Sequence, residues 1–218
     1  MADTAAAAAL LSEARTVADC RLAGVAERLQ RETSGPLGRA IGYALGTTGK
    51  RVRPALVLAC YRAAGGTHAA IGQLATAVEI IHTYSLVHDD LPCMDDDAQR
   101  RGRPTTHVVY DPVTAAKVGY LLVPVAVEVL CRATEELDLP IAAHQAIART
   151  LLAASGIQGM VGGQWLDLAA EGQALVADQL TAIHARKTGA LIEAACVVGG
   201  LAAGASSAVL EALAGYGR

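Results

Sequence analysis

Five aspartates crowd into residues 89–97, near the middle of the chain. They follow an apolar segment with helical spacing, which places them at the C-terminal end of a helix, where the helix dipole disfavours negative charge. Like charges this close raise one another's pKa unless a cation compensates. Clustered carboxylates suit Mg²⁺, which usually keeps several waters and bridges to substrate phosphates. Taken alone, the segment is also compatible with a solvated acidic loop.

Two basic segments could bind phosphate. Residues 49–54 read Gly-Lys-Arg-Val-Arg-Pro, and residues 100–103 read Arg-Arg-Gly-Arg. Pro54 fits the first position of a helix, so Lys50 and Arg53 would lie beside free N–H groups, and such a site binds phosphate. Each basic segment alone is equally well explained as surface charge. Together with the carboxylates they favour a diphosphate site.

His82 precedes Asp89 by seven residues. Seven residues are nearly two helical turns, so both side chains are expected on one side of the same helix. A hydrogen-bonded core histidine explains His82 as well as a ligand does. The alignment with the acidic segment makes His82 a candidate binding residue.

Further candidates lie in the last third of the chain. Gln164 and Asp167 are three residues apart and therefore share a helical face. The segment Lys187-Thr188-Gly189 interrupts an apolar stretch. A glycine kink at Gly189 could turn Lys187 and Thr188 toward a central cavity.

Helices must position all of these groups. The hydrophobic spacing predicts helices over 4–32, 36–47, 54–64, 69–91, 112–134, 140–160, 162–170, 176–186 and 188–215. Strand signals are weak, and no Asn-Gly or Asp-Gly hairpin turn occurs. The sequence therefore predicts a single all-α domain over 1–218.

Composition excludes several classes of protein. The 218 residues are 53% hydrophobic and 18% charged, with a formal net charge of −3. These values exclude a disordered chain and give no basic surplus for nucleic acid. No apolar run of 18 residues is free of charges or breakers, so no membrane span is predicted. The five scattered cysteines and the absence of a signal-peptide pattern predict a cytoplasmic protein.

From about residue 37 to residue 218, the chain resembles the short-chain trans-prenyl diphosphate synthases, the farnesyl and geranylgeranyl diphosphate synthase family. The motifs that carry the resemblance are 49–54, 81–95, Arg100-Arg101-Gly102, Gly162-Gly163-Gln164 and Lys187-Thr188-Gly189. The resemblance implies an all-α prenyl synthase fold, which is a helical bundle around a deep cavity. It also implies a homodimer and Mg²⁺ as the cofactor.

The resemblance also implies roles for individual residues. Asp89 and Asp95 would hold Mg²⁺ on the allylic diphosphate, and Arg100 would contact the same diphosphate. Four residues would hold isopentenyl diphosphate: Lys50, Arg53, His82 and Arg101. Four others would line the reacting end of the allylic site: Gln164, Asp167, Lys187 and Thr188. The implied reaction ionises the allylic diphosphate, adds the carbocation to isopentenyl diphosphate and releases a proton.

Product length in the family depends on the residues just before the first aspartate, here Tyr84 and Ser85. They lie roughly 6–7.5 Å along the helix from Asp89. We hypothesise that Tyr84 forms the floor of the cavity and that the product is farnesyl diphosphate. Geranylgeranyl diphosphate is the alternative product, and ordinary core packing is the alternative explanation of Tyr84.

The chain departs from the family pattern at positions that bear on activity. Relatives carry Gly-Asp at Gly119-Tyr120, and the second Asp-rich motif of the family is absent from these 218 residues. We therefore expect a domain that lacks its C-terminal part, weak allylic diphosphate binding and little turnover. A non-catalytic partner subunit of the same family is the alternative. A terpene cyclase is disfavoured, because it would not need Lys50 and Arg53.

Overall fold

The computed structural model describes residues 2–218 and confirms the all-α prediction. The helices are α1 (Ala2–Glu32), α2 (Pro36–Leu45), α3 (Val52–Ala63), α4 (Ile71–Asp89), α5 (Thr106–Val109), α6 (Pro112–Glu136), α7 (Ile141–Ser155), α8 (Met160–Ala169), α9 (Ala177–His184), α10 (Ala190–Ala202) and α11 (Ser207–Gly217). A π-helical turn, Ala185–Gly189, joins α9 to α10. A short hairpin of β1 (Gln99–Arg100) and β2 (Arg103–Pro104) lies between α4 and α5.

Helix α4 forms the centre of the bundle. Its apolar residues occupy nearly the whole circumference rather than one stripe, as expected of a helix surrounded by others. Leu74, Val78 and Ile81 are fully buried. The helix packs most extensively on α6, and also on α3, α1 and α10. The acidic segment at its C-terminal end is therefore fixed by a rigid support.

Helix α6 has a well-defined start. Pro112 occupies its first turn, and the Asp111 carboxylate accepts a hydrogen bond of 2.8 Å from the Thr114 N–H. By length and composition alone, α6 also passes the test for a membrane-spanning helix, with a mean hydropathy of 1.7, but a single such helix does not overturn the prediction of no membrane span. Core helices also pass this test, and 44% of the apolar window is buried against the rest of the protein.

The helix predicted over 188–215 is wrong as one element. Its first residues belong to the π-helical turn, and the remainder is divided into α10 and α11. Gly204, with φ +70°, adopts the left-handed conformation that ends helices. The Ser206 side chain then accepts from the Val209 N–H at 3.4 Å and caps the new helix.

The β hairpin also lies outside the sequence-based expectation. Arg101 and Gly102, the two turn residues, have φ values of +54° and +76°, and two left-handed residues are typical of a tight hairpin turn. Arginine rarely adopts this conformation, so the turn has no ordinary sequence signal. The Arg101 guanidinium donates to the Thr48 carbonyl at 2.8 Å. That bond fixes the hairpin against the loop between α2 and α3.

Candidate functional site

Two cavities lie along α4. One, which we call the apolar cavity, has a volume of about 370 Å³ and is lined mainly by α4 and α8, including Tyr84, Ser85, His88, Asp89, Met160, Gln164, Trp165, Leu168 and Lys187. The other, which we call the cationic pocket, has a volume of about 580 Å³ and is lined by residues including Asp19, Lys50, Arg51, Arg53, Glu79, His82 and Arg101. The seven residues from His82 to Asp89 separate the two cavities by roughly 10 Å along the helix.

The acidic segment folds back on the end of α4. The Asp95 N–H donates to the Asp89 carbonyl at 2.9 Å, and the Asp96 N–H donates to the Leu91 carbonyl at 3.2 Å. Asp96 closes the turn in a left-handed conformation, with φ +52°, which aspartate tolerates better than most residues. The turn brings Asp95 close to Asp89, the pair expected to bind Mg²⁺.

The Asp89 carboxyl lies in an environment that disfavours its charge. Burial is the largest influence and raises the pKa of Asp89 to about 6, while Lys187 lowers it and Asp95 raises it. Loss of hydration accounts for the burial effect, and repulsion between neighbouring carboxylates acts in the same direction. A bound cation would oppose both effects, because an opposite charge nearby favours the ionised carboxylate.

The predicted residues of α8 and the π-helical turn form one polar network with Asp95. Gln164 Nε2 donates to Asp95 Oδ1 at 2.7 Å, and Lys187 donates to Asp167 while its Nζ lies 3.8 Å from Asp95 Oδ2. Burial lowers the pKa of Lys187, but the hydrogen bond to Asp167 and the charge of Asp95 outweigh it, so the pKa lies above its usual value. Lys187 is therefore a cation at neutral pH.

The donor set fits a hard divalent cation that shares its ligands with a substrate. The described residues 2–218 contain no group of three His, Cys, Asp or Glu side chains that could hold a metal by themselves. Asp89 and Asp95 supply carboxylate oxygens only, and Mg²⁺ typically binds one or two carboxylates and completes its shell with water and phosphate. In addition, Gln164 Oε1 is buried without a hydrogen-bond partner, and a metal-bound water could donate to it.

The structure brings together the four basic side chains that were predicted to hold isopentenyl diphosphate. Lys50, Arg53, His82 and Arg101 all line the cationic pocket. Arg53 Nε and His82 Nδ1 are buried without partners. Burial, followed by the charges of Arg53 and Arg101, lowers the pKa of His82 to about 2, so its ring is neutral. Unpaired buried polar atoms are costly, and an anionic ligand would satisfy the Arg53 Nε–H.

Arg51 holds the cationic pocket in shape, although the sequence analysis gave it no role. Its side chain is buried, and it lies 2.7 Å from both Asp19 and Glu79. It also donates to the Thr47 carbonyl at 2.7 Å. These contacts support a left-handed backbone, φ +52°, immediately before α3. Because this conformation is unfavourable for arginine, we attribute it to the two ion pairs, of which the one with Glu79 is fully buried. They orient Lys50 on one side and Arg53 on the other.

Arg100 lines neither of these two cavities. Its Nε is 2.5 Å from Asp90 Oδ1, and its Nη2 is 2.9 Å from Asp97 Oδ2. The next residue, Arg101, points into the cationic pocket. The expected contact of Arg100 with the allylic diphosphate stays a prediction. Its two ion pairs use Nε and Nη2, and a guanidinium has five N–H donors, so it could donate to phosphate and keep both carboxylates.

Lys187 and Thr188 differ in position. Lys187 reaches the apolar cavity, whereas Thr188 is exposed and does not line it. A Cβ atom at Gly163 would overlap the backbone of Lys187, so the glycine allows α8 to approach the π-helical turn closely. The expected kink is therefore a π-helical turn beginning at Ala185, and its packing depends on Gly163.

Tyr84 and Ser85 both line the apolar cavity. The Ser85 hydroxyl is occupied, because it donates to the His82 carbonyl at 2.9 Å. Tyr84 contacts the His88 ring edge-on, with 5.1 Å between ring centroids. Burial, followed by the charge of Asp89, raises the pKa of the Tyr84 hydroxyl, which keeps it neutral. Tyr84 thus forms part of an aromatic wall.

Sequence reasoning missed several residues of the apolar cavity. His88 lies one turn after Tyr84 and could have been found by that spacing. Met160, Gln164 and Leu168 recur at helical intervals on α8, and only Gln164 was singled out, because its amide is polar. Apolar residues such as Leu168 look like core residues in a sequence, and only the packing shows that they face a cavity.

Comparison with known proteins gives a consistent result. The polyprenyl synthetase family model matches residues 35–218. The chain is 38% identical over 197 residues to a farnesyl diphosphate synthase of Geobacillus stearothermophilus, covering 90% of this chain, and 43% identical over 168 residues to a geranylgeranyl diphosphate synthase of Cyanophora paradoxa, covering 76% of this chain. It also resembles the crystal structure of a farnesyl/geranylfarnesyl diphosphate (FPP/GFPP) synthase from Zymomonas mobilis, with a TM-score of 0.86 and 33% identity over 97% of this chain.

The chain is shorter than these proteins. It spans 65% of the Geobacillus protein and 55% of the Cyanophora protein, and 77% of the Zymomonas structure. Residues 35–218, which the family model matches, contain the whole lining of the apolar cavity and most of the lining of the cationic pocket, but not Asp19.

Proposed function

The chain belongs to the polyprenyl synthetase family, and on that premise we propose that it is a prenyltransferase that condenses isopentenyl diphosphate with an allylic diphosphate. The observation that carries the proposal is the pair of cavities on α4. One combines apolar walls with an acidic mouth. The other is lined by the four basic side chains predicted to hold isopentenyl diphosphate, and two of these, Arg53 and His82, have buried nitrogens without a partner. This arrangement suits one substrate that has an apolar tail and a metal-bound diphosphate, held beside the diphosphate of a second substrate.

The allylic substrate would occupy the apolar cavity. Its tail would lie against α8 residues such as Met160 and Leu168, and its diphosphate would face Asp89 and Lys187. Lys187 would stabilise negative charge as the diphosphate departs. The apolar walls would keep water away from the allylic cation until it meets the second substrate.

Asp89 and Asp95 would hold Mg²⁺ at the mouth of the apolar cavity. When bound, the metal would supply the positive charge that stabilises the departing diphosphate. Gln164 would orient Asp95 through its hydrogen bond of 2.7 Å. Arg100 and Thr188 stay candidates for contact with the same diphosphate, although neither lines the cavity in the unliganded chain.

Isopentenyl diphosphate would bind in the cationic pocket. Arg53 and Arg101 are permanent cations whose N–H groups match phosphate oxygens, and Lys50 adds an exposed charge at the rim. His82, neutral because of burial, would contribute hydrogen bonding rather than charge. The pocket lies on the same side of α4 as Asp89, so both substrates can approach one another along the helix.

We propose farnesyl diphosphate as the product, because Tyr84 supplies a bulky ring in the wall of the apolar cavity. We also propose a homodimer. An exposed apolar face on α5 and α6 supports it, formed by Val108, Val109, Val113, Tyr120 and Leu121. The five free cysteines support a cytoplasmic location, where thiols stay reduced.

The test is a binding measurement on the purified 218-residue chain, because binding reports on both cavities without requiring turnover. Calorimetric titration with isopentenyl diphosphate is expected to show that Arg53→Gln weakens binding by about 10- to 100-fold, the loss typical of a hydrogen bond to a charged group. Asp89→Asn is expected to abolish the Mg²⁺ dependence of geranyl diphosphate binding.

The matched control is Arg62→Gln. Arg62 pairs with Glu13 at the surface and lines neither of the two cavities, so its removal is expected to leave both affinities unchanged. Equal weakening by Arg53→Gln and Arg62→Gln would contradict the assignment of the cationic pocket. If neither isopentenyl diphosphate nor geranyl diphosphate binds, the proposed function itself is contradicted.

A further inference from the structure

A stack of three rings closes the side of the apolar cavity that faces α6. Tyr84 meets His88 edge-on, with centroids 5.1 Å apart and planes at 73°. His88 in turn meets Tyr120 of α6 edge-on, at 5.6 Å and 82°. Tyr84 and His88 line the cavity, and Tyr120 lies behind them. The His88 ring is the middle member and contacts both tyrosines.

The position of the His88 ring is fixed from α6. Its Nε2 lies 3.1 Å from the Ala116 carbonyl oxygen. A carbonyl only accepts hydrogen bonds, so Nε2 carries the proton. A Cβ atom at Gly119 would overlap the ring, so α6 leaves a gap that the imidazole fills. The hydrogen bond and the gap determine where the ring lies, and Tyr120 of the same helix adds an edge-on contact with it.

We propose that His88 is a second determinant of allylic tail length beside Tyr84, and that Tyr120 is the positioning residue that holds the His88 ring in the cavity wall. The inference rests on the proposed function and makes it more specific. Shortening Tyr84 alone leaves the His88 ring in place. The cavity can lengthen toward α6 only when the His88 ring is removed or released.

Tyr120 is suited to a test because its side chain is 73% exposed. A substitution at an exposed position on α6 leaves the buried core intact, so the folded state survives. Tyr216 of α11, 75% exposed, provides a matched control for the loss of an exposed tyrosine. Val113 shares a face of α6 with Tyr120, seven residues away, and provides a control for subunit contacts.

The experiment titrates the full 218-residue chain with geranyl, farnesyl and geranylgeranyl diphosphates in Mg²⁺ and compares their dissociation constants. The wild type is expected to bind geranylgeranyl diphosphate less tightly than geranyl diphosphate. Tyr120→Ala and Tyr120→Asp are expected to shift this ratio about tenfold toward the longer tail, the gain from burying roughly two more methylene groups. His88→Ala is expected to shift it at least as far.

Tyr120→Phe keeps the ring and is expected to show the wild-type ratio of dissociation constants. A general loss of stability at this position would not distinguish Tyr120→Phe from Tyr120→Ala in this way. Tyr216→Ala and Val113→Lys are expected to leave the ratio unchanged. If all three diphosphates bind and neither Tyr120→Ala nor His88→Ala changes the ratio, the inference is overturned while the proposed function stands. If the wild type binds none of them, the proposed function fails and the inference falls with it.

Discussion

Asp89, which we propose as a metal ligand, lies in an environment that works against the stability of the fold. Its carboxyl is half-buried at the end of α4, where loss of hydration, the nearby Asp95 and the helix dipole all disfavour negative charge. The counter-charge of Lys187 compensates only in part, since the pKa of Asp89 stays raised, at about 6. The unliganded protein therefore holds a destabilising charge that a bound cation would neutralise.

We predict that Asp89→Asn stabilises the unliganded protein. Because the folded-state pKa of Asp89 lies above its ordinary value, the favourable contribution of this group is complete at low pH and is lost as pH rises through about 6. The variant removes the charge, so its free energy of unfolding is expected to exceed that of the wild type by up to about 3 kcal/mol at pH 8. Urea unfolding at pH 5 and pH 8 measures the difference.

Asp96→Asn is the control for this prediction. It lies in the same acidic segment but is exposed, and asparagine tolerates its left-handed backbone. Its unfolding free energy is expected to match the wild type at both pH values. If the excess unfolding free energy of Asp89→Asn over the wild type does not grow from pH 5 to pH 8, the Asp89 charge does not destabilise the fold as predicted.

At the scale of elements, α8 and the π-helical turn depend on the absence of one side chain. The missing Cβ atom of Gly163 leaves room for the Lys187 backbone. That approach places Lys187 beside Asp167 and close to Asp95. The position of the Lys187 cation is therefore a property of helix packing as much as of Lys187.

We predict that Gly163→Ala separates α8 from the π-helical turn. The added methyl group has no space, so the free energy of unfolding is expected to fall by about 1–3 kcal/mol, the usual cost of overpacking. The displacement of Lys187 is also expected to weaken geranyl diphosphate binding. Thermal unfolding and titration measure the two effects.

Gly215→Ala provides the comparison. Gly215 lies within α11 and has open space where a Cβ would be, so alanine is expected to stabilise the protein by about 0.5–1 kcal/mol. If Gly163→Ala behaves like Gly215→Ala, the close approach of α8 is not needed for stability.

The sequence predicted the long helices well and the local irregularities poorly. Helix α6, which extends over Pro112–Glu136, was expected over 112–134 from its hydrophobic spacing. The boundary between α10 and α11 was missed because apolar residues continue across Gly204. The hairpin was missed because its turn needs Arg101 in a conformation that only contacts distant in sequence, such as the one to Thr48, make favourable.

The site divides in the same way. Charged residues within recognisable motifs, such as Arg53 and Asp95, were found from sequence because their chemistry is visible there. Arg51 is held by Asp19 and Glu79, which come from two other helices. The contact of His88 with Tyr120 likewise joins two helices and has no signature within either one.

At the scale of the whole molecule, α6 has two dissimilar sides. One side is buried against α4, with Val118, Leu122 and Ala126 fully covered. The other exposes Tyr120 and also Val113, whose side chain is 63% exposed. An apolar exposed face on a helix that also packs in the core is typical of an interaction surface. The proposed homodimer would cover it.

We predict that Val113→Lys shifts the protein from dimer to monomer. A lysine on a covered apolar face would be buried without a partner, which is costly. Sedimentation velocity is expected to show the wild type at twice the monomer mass and the variant at the monomer mass. Val209→Lys, a change at a 40% exposed valine of α11, is expected to leave the mass unchanged, and a monomeric wild type would contradict the proposal.

The rigid axis of α4 has a consequence for the rate of the proposed reaction. His82 and Asp89 belong to one continuous helix, so two ligands bound beside them would meet at a fixed separation and a fixed angle. The translational and rotational entropy of bringing them together would be lost on binding rather than in the chemical step, which can raise the effective molarity of one reactant toward the other by several orders of magnitude. Inserting a single residue between them would turn the two sites apart by about 100° and remove that advantage, even with every binding residue intact.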